Sequence, residues 1–137
     1  KMFMTACCAM FDATRGELSY ANAGHPPAIL LRSSEVQCTT IKADGALLGI
    51  DKDARFEEVK LRLDDGDIVV FYTDGITERS NAAGAFFGAD RLRELVVAHR
   101  AKDPEAIIDA IFEEVNRFAG AREHEDDLTI VVMKQAA

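Results

Sequence analysis

A continuous apolar run, Ile68 to Tyr72, constrains this chain more than any other stretch. Asp64-Asp65-Gly66-Asp67 precedes it and Thr73-Asp74-Gly75 follows it. A run this short, closed by turn residues on both sides, suits a strand buried on both faces and is too short for an ordinary helix. Such a strand delivers the carboxylate of Asp74 at its end, and Gly75 lets the backbone turn sharply or approach a ligand closely. Two readings follow. An Asp-Gly pair is commonly a simple turn, whereas a carboxylate at the end of a rigid strand is well placed to hold a metal or a metal-bound phosphate. The stretch by itself favours the turn, and the rest of the chain decides between them.

A chain of 137 residues is one domain or a large part of one. Sixteen Lys plus Arg against 24 Asp plus Glu give a net charge of -8, which argues against nucleic acid as the main partner and suits divalent cations. The three cysteines, Cys7, Cys8 and Cys38, have no zinc-ligand spacing. They read as small buried thiols in a reducing compartment, which places the protein in the cytoplasm. No signal peptide and no apolar run long enough to span a membrane is present in the sequence. The chain opens at Lys1-Met2-Phe3-Met4, already inside an expected strand, which predicts a truncated piece of a longer protein.

Residues 2–11 are apolar almost throughout and read as a buried strand. The alternating Glu17–Asn22 segment reads as a half-buried strand that pairs with it through a short Gly-containing loop. Gly24-His25-Pro26-Pro27 fixes a kink, because neither proline can donate to a ladder. Ala28–Leu31 and Val36–Ile41 are read as further strands. The alternation of Val59, Leu61 and Leu63 gives a strand with one wet side, joined to the Ile68 run by a solvated hairpin turn at 64–67. Residues 79–88 read as a flexible lid or substrate-contacting flap, anchored by Phe86 and Phe87. One helix follows with Leu92, Leu95, Val96 and His99 on a face. A second starts at Asp103 as N-cap with Pro104 at its first position, carries Ile107, Ala110, Ile111, Val115 and Phe118 as its apolar stripe, and ends at Gly120.

The last apolar run, Leu128 to Met133, is preceded by Glu125-Asp126-Asp127. Acids thus stand at the start of this strand and at the end of the Ile68 strand. If the two are antiparallel neighbours, about 4.8 Å apart, Asp74 and Asp126 converge at one sheet edge. Carboxylates brought together without a cationic partner repel unless a cation or a shared proton lies between them. Oxygen donors suit Mg²⁺ or Mn²⁺, and two such ions about 3.5–4 Å apart can activate a bridging water and hold a phosphate for in-line attack. The sequence has no Walker loop, no HExxH and no Ser or Cys with an evident base.

In order along the chain, Tyr20-Ala21-Asn22-Ala23-Gly24-His25-Pro26-Pro27, Leu48-Gly49-Ile50, Gly66-Asp67, Tyr72-Thr73-Asp74-Gly75-Ile76-Thr77-Glu78, Phe87-Gly88 and Asp126-Asp127-Leu128-Thr129-Ile130-Val131-Val132 together resemble the SpoIIE/RsbU branch of the metal-dependent PPM (type 2C) protein phosphatases. The resemblance runs from about Phe3 to Met133. It implies an α+β fold, an α-β-β-α sandwich of antiparallel sheets flanked by helices. It also implies two Mn²⁺ or Mg²⁺ ions that hydrolyse phosphoserine or phosphothreonine in a regulatory phosphoprotein of the anti-sigma-factor antagonist type, in a bacterial partner-switching pathway with an upstream sensor or receiver domain. Asp74 matches the family's Asp-Gly metal ligand. Asp126 matches the Asp of its C-terminal motif, with Asp127 as an alternative or supporting ligand. Glu78 stands near the metals below these in rank. His25 occupies the place where many members carry an Asp for a third metal, and reads first as a structural turn and second as a substrate or regulatory contact.

The family's first metal-binding Asp motif lies upstream of Phe3 and is not in this chain. Residues 1–137 are therefore expected to be a partial, N-terminally truncated phosphatase domain with little activity by itself, and with strand edges open to homodimerisation. The competing reading is a non-catalytic, degenerate phosphatase domain that docks partners. A third is a plain acidic α+β domain whose Asp residues are turns and caps.

Overall fold

Alternation along the Ile68 run splits its side chains between two cores. In the computed structural model, which describes residues 2–123 and 126–136, this run is strand β6 (Ile68–Tyr72). Ile68, Val70 and Tyr72 lie in one cluster with Ile29, Leu31, Leu92, Val96, Ile107, Ile111 and Val115. Val69 lies in the other with Leu18, Tyr20, Leu30 and Leu63, and Phe71 packs against that cluster. Ile68, Val69 and Val70 are 0% exposed, so the strand is buried on both faces as its composition demands. Lys1 and the His124-Glu125 pair, both within segments read above, lie outside the described residues.

The strands β1 (Ala6–Asp12), β2 (Glu17–Ala23) and β5 (Val59–Arg62) form one antiparallel sheet in the order β1-β2-β5. The strands β3 (Ile29–Leu31), β4 (Thr39–Thr40), β6 and β7 (Ile130–Lys134) form a second, in the order β4-β3-β6-β7. The cluster around Val69 fills the space between the sheets, where Tyr20 of β2 meets Phe71 of β6 with ring centroids 6.1 Å apart. Helices α2 (Ala89–Ala98) and α3 (Pro104–Ala119) cover the other face of the second sheet. The order is sheet, sheet, helices, which is three layers of an α-β-β-α sandwich. Among the described residues no helix covers the outer face of β1-β2-β5.

Local chemistry explains the boundaries. Gly16 turns β1 into β2 at φ 64°. Asp103 caps α3 by accepting from the Ala106 amide at 2.8 Å, Pro104 opens the helix and Gly120 closes it, all at the expected residues. The α3 stripe buries Ile107, Ile111, Val115 and Ala119. In α2, Leu92 and Val96 are buried, and His99 is the C-cap, its amide donating to the Leu95 carbonyl.

Several expectations are corrected. The strand expected over residues 2–11 is not buried: β1 is a sheet edge, and Cys8, Ala9 and Met10 are exposed because nothing described covers them. Cys8 is thus not a buried thiol, whereas burial pushes the half-buried Cys7 and Cys38 thiols up. The strand expected at Val36–Ile41 shortens to β4. The segment 64–67 is not a hairpin turn, because β5 and β6 belong to different sheets and the chain crosses between them.

That crossover explains a second difference. Asp67 is buried rather than solvated, and it accepts from the Ser33 amide at 2.7 Å, the Asp64 amide at 2.9 Å and Arg32 Nη1 at 2.7 Å. Burial by itself would raise its pKa, but the two amides and the Arg32 guanidinium outweigh it and hold the carboxyl below the usual range. Asp67 therefore pins the entry of β6 to the end of β3. Asp67→Ala is expected to cost roughly 2–3 kcal/mol in urea unfolding, short of a fully buried pair because Arg32 is partly exposed. A carboxyl lowered in the folded state contributes stability above its unfolded value of about 3.9 and loses it as pH falls through the lower folded value. The gap between wild type and Asp67→Ala should accordingly be constant near neutrality and narrow only in that acid range.

Candidate functional site

Strand β6 ends in a single helical turn, α1 (Asp74–Thr77), with Thr73 as its N-cap residue. The Asp-Gly pair is thus the start of a helix rather than a free turn. Asp74 is exposed there, Gly75 and Ile76 are buried, and Ile76 roots the turn in the helix-side core. The Glu78 amide closes the turn by donating to the Asp74 carbonyl at 2.7 Å.

On the side away from β3, the antiparallel partner of β6 is β7, with Tyr72 opposite Ile130. Continued past Tyr72, this register brings the backbone of α1 against the segment before β7. Thr73 stitches the two: its amide donates to the Thr129 carbonyl at 3.1 Å, its hydroxyl donates to the Asp127 carbonyl at 3.3 Å, and that hydroxyl accepts from the Thr129 amide at 3.2 Å. The approach is close enough to exclude a side chain at Gly75, where a Cβ would stand 2.2 Å from the Asp127 carbonyl oxygen. Gly75 therefore serves a backbone contact here, and needs no positive φ to account for it.

The acids open onto two neighbouring cavities that share Glu78. One, of about 390 Å³, is lined by Thr5, Gly24, His25, Pro26, Thr73, Asp74 and Glu78. The other, of about 140 Å³, is lined by Gly75, Glu78, Arg79, Ser80, Phe86 and Asp126. Asp74 and Asp126 thus line different cavities, on either side of Glu78. Asp126 and Asp127 are both exposed, and Asp126 accepts from the Asp127 amide at 2.8 Å.

His25 is fixed by geometry. Its amide donates to Asn22 Oδ1 and its carbonyl accepts from Asn22 Nδ2, both at 2.8 Å, which closes the Gly-His-Pro turn. Its Nε2 lies 3.0 Å from the Tyr72 carbonyl, which can only accept, so Nε2 carries the proton and Nδ1 faces the Thr5 hydroxyl at 3.4 Å. The turn is thereby tied to the end of β6, immediately before the Thr73-Asp74 step.

The segment 79–88 forms a hydrogen-bonded turn. Asn81 Oδ1 accepts from the amides of Ala83 and Ala85, Ser80 bridges Phe86, and the Phe87 amide donates to the Arg79 carbonyl. Only Phe87 anchors it, buried edge-on to Phe118 with centroids 5.5 Å apart; Phe86 is 62% exposed. Sequence reasoning missed Thr73 and Arg79. The tie made by Thr73 follows from the β6–β7 register, but Arg79 carries no periodic signal that separates it from an ordinary surface arginine.

The donors available are carboxylate oxygens at an open surface, in kind those a hard divalent cation takes. In number they fall short: among the described residues no three His, Cys, Asp or Glu side chains form a group able to hold a metal. The described residues supply part of a donor set.

Comparison with known proteins supplies the context. The family model of stage II sporulation protein E (SpoIIE) matches residues 1–136. The chain is 32% identical over 132 residues to protein IcfG of a Synechocystis strain, covering 96% of the chain and 20% of that relative. It is 26% identical over 134 residues to the phosphoserine phosphatase RsbU of Bacillus subtilis, covering 98% of the chain and 39% of that relative. The SiaA-PP2C domain of Pseudomonas aeruginosa shares the fold with a TM-score of 0.85 at 20% identity, over 98% of this chain and 52% of that one. The chain thus spans less than half the length of these two curated relatives.

Gly75→Ala forces a Cβ into backbone that cannot rotate away. It is expected to cost about 2–4 kcal/mol, read by urea unfolding, and to speed amide exchange at Asp127–Thr129. An unchanged midpoint would show that α1 and the segment before β7 are not held in contact.

Proposed function

This chain belongs to the SpoIIE family, in the branch of PPM-type phosphatases that includes RsbU, and on that premise we propose that it forms part of a metal-dependent phosphatase domain acting on phosphoserine or phosphothreonine in a regulatory phosphoprotein. The observation that carries this reading is the contact between α1 and the segment before β7, which sets the exposed Asp74 and Asp126 on two sides of Glu78. In our reading Asp74 and Asp126 are metal ligands, Asp127 supports or alternates with Asp126, and Glu78 stands between the two cavities. Donors from outside this chain complete the set, since the chain covers only 52% of a PP2C domain of the same fold.

Two divalent cations held there would lower the pKa of a shared water and draw charge from the phosphate oxygens. The chain's own residues fix the frame. Thr73 and Gly75 hold the two acidic segments together, and His25 holds the end of β6. The name of RsbU as a phosphoserine phosphatase supports the substrate class, and an antagonist-type phosphoprotein in the cytoplasm is the partner we infer. No helix among the described residues is long and apolar enough to cross a membrane.

The test uses the protein that carries this domain and the 137-residue chain side by side, with a phosphoserine protein and Mn²⁺. Asp74→Asn and Asp126→Asn are each expected to lower turnover on the order of 10²–10³-fold, equivalent to about 2.7–4 kcal/mol, and the isolated chain is expected to show little turnover. Wild-type turnover in both variants would sink the phosphatase reading. Tight binding of a phosphoprotein without Mn²⁺-dependent release of phosphate would instead point to a partner-docking module.

A further inference from the structure

Arg79 directly follows Glu78, yet the residue is only 6% exposed. Its Nη1 donates to the Glu123 carbonyl and its Nη2 to the Arg122 carbonyl, while Nε is buried with no partner among the described residues. None of the ion pairs among the described residues involves it. A guanidinium buried against neutral carbonyls is an expensive way to fill space, since an apolar side chain of similar volume would avoid the desolvation cost. What the guanidinium supplies instead is a planar fork that grips two consecutive carbonyls in one orientation.

Those carbonyls belong to the segment that leads from α3 to Asp126. Asp74 is fixed by a buried strand and a helical turn, whereas Asp126 lies in irregular chain before β7 begins at Ile130. Thr73 holds the far side of the acidic pair through the Asp127 carbonyl, and Arg79 holds the near side. The platform under Arg79 is itself ordered, because its carbonyl accepts from the Phe87 amide at 2.8 Å and Phe87 is rooted in the core. Arg122 returns a bond in the other direction, its Nη1 donating to the Asn81 carbonyl at 3.0 Å. Arg79 and Asp126 also line the same cavity of about 140 Å³.

We propose that Arg79 is a positioning residue for Asp126: its guanidinium clamps the carbonyls of Arg122 and Glu123 and so fixes where Asp126 presents its carboxylate to a divalent cation. The inference rests on the reading of Asp74 and Asp126 as metal ligands.

The test uses the protein carrying this domain, titrated with Mn²⁺ by calorimetry, alongside amide exchange of the metal-free form. Arg79→Met is expected to weaken Mn²⁺ binding about 10–100-fold, the range for residues that orient a metal ligand, and to speed exchange within residues 120–127. Turnover of this variant should recover to within a few fold at saturating Mn²⁺, because the clamp acts on affinity. Arg79→Lys should restore much of the affinity, since one ammonium can hold two carbonyls, as Lys134 Nζ does with those of Arg100 and Lys102. If Arg79→Met does not fold, Arg79→Gln takes its place with the same expectation. Wild-type Mn²⁺ affinity in a folded Arg79→Met or Arg79→Gln protein overturns the proposal, provided that Asp74→Asn in the same assay loses Mn²⁺. Wild-type affinity in Asp74→Asn as well would remove the metal reading, and the clamp's role with it.

Discussion

Burial of β6 on both faces is the constraint on which the rest of the structure depends. Its alternate side chains close the core between the sheets and the core beneath the helices, so neither face has a solvent side to which the strand could slip. A one-residue shift of register would exchange the two side-chain sets and mispack both cores together. The strand's two ends are therefore fixed points. At one end Asp67 ties it to Arg32 and Ser33. At the other, Tyr72 gives its carbonyl to His25, and the chain enters α1 with Asp74 in the first turn. The rigidity of the acid's position is inherited from apolar packing rather than from polar contacts of its own.

The elements legible in the sequence were those whose signal is local or one-dimensional. Asp103, Pro104 and Gly120 mark the ends of α3 because capping depends on residues within a turn of the boundary. β6 was legible because a short apolar run between turn residues has few other solutions. The antiparallel pairing of β6 with β7 was an inference from the opposite placement of their acids, and the register bears out the pairing. Alternation reports which face of a strand is wet but not which strand lies beside it. That is why the 64–67 segment read as a hairpin when β5 and β6 lie in separate sheets. For the same reason the apolar residues of β1 suggested burial: composition makes burial cheap without supplying anything to cover the strand.

The candidate site shows the same division. Asp74 and Asp126 stand out in the sequence as acids flanking the two apolar runs, and the structure puts them at neighbouring cavities that share Glu78. The side chains that hold their segments together could not. Thr73 acts through its hydroxyl on residues more than fifty positions away, at Asp127 and Thr129. Asp67 looked like one more solvated acid in an acidic turn, and only the crossover between sheets buries it. Gly75 is legible as a special position, but the close approach it permits is to the Asp127 backbone rather than to a ligand, and it involves no left-handed turn.

Thr73 and Gly75 act together, and neither would suffice. A hydroxyl at residue 73 can reach the Asp127 carbonyl only if the two backbones come close, and they come close only because residue 75 has no Cβ to hold them apart. Once they are close, the segments that follow β6 and precede β7 lie side by side, with Asp74 and Asp126 lining separate cavities that share Glu78. The buried cation that follows Glu78, Arg79, spends both terminal nitrogens on backbone carbonyls rather than on a carboxylate. Among the described residues Asp74, Asp126 and Asp127 are exposed and take part in no ion pair, so backbone contact rather than charge pairing holds these segments together.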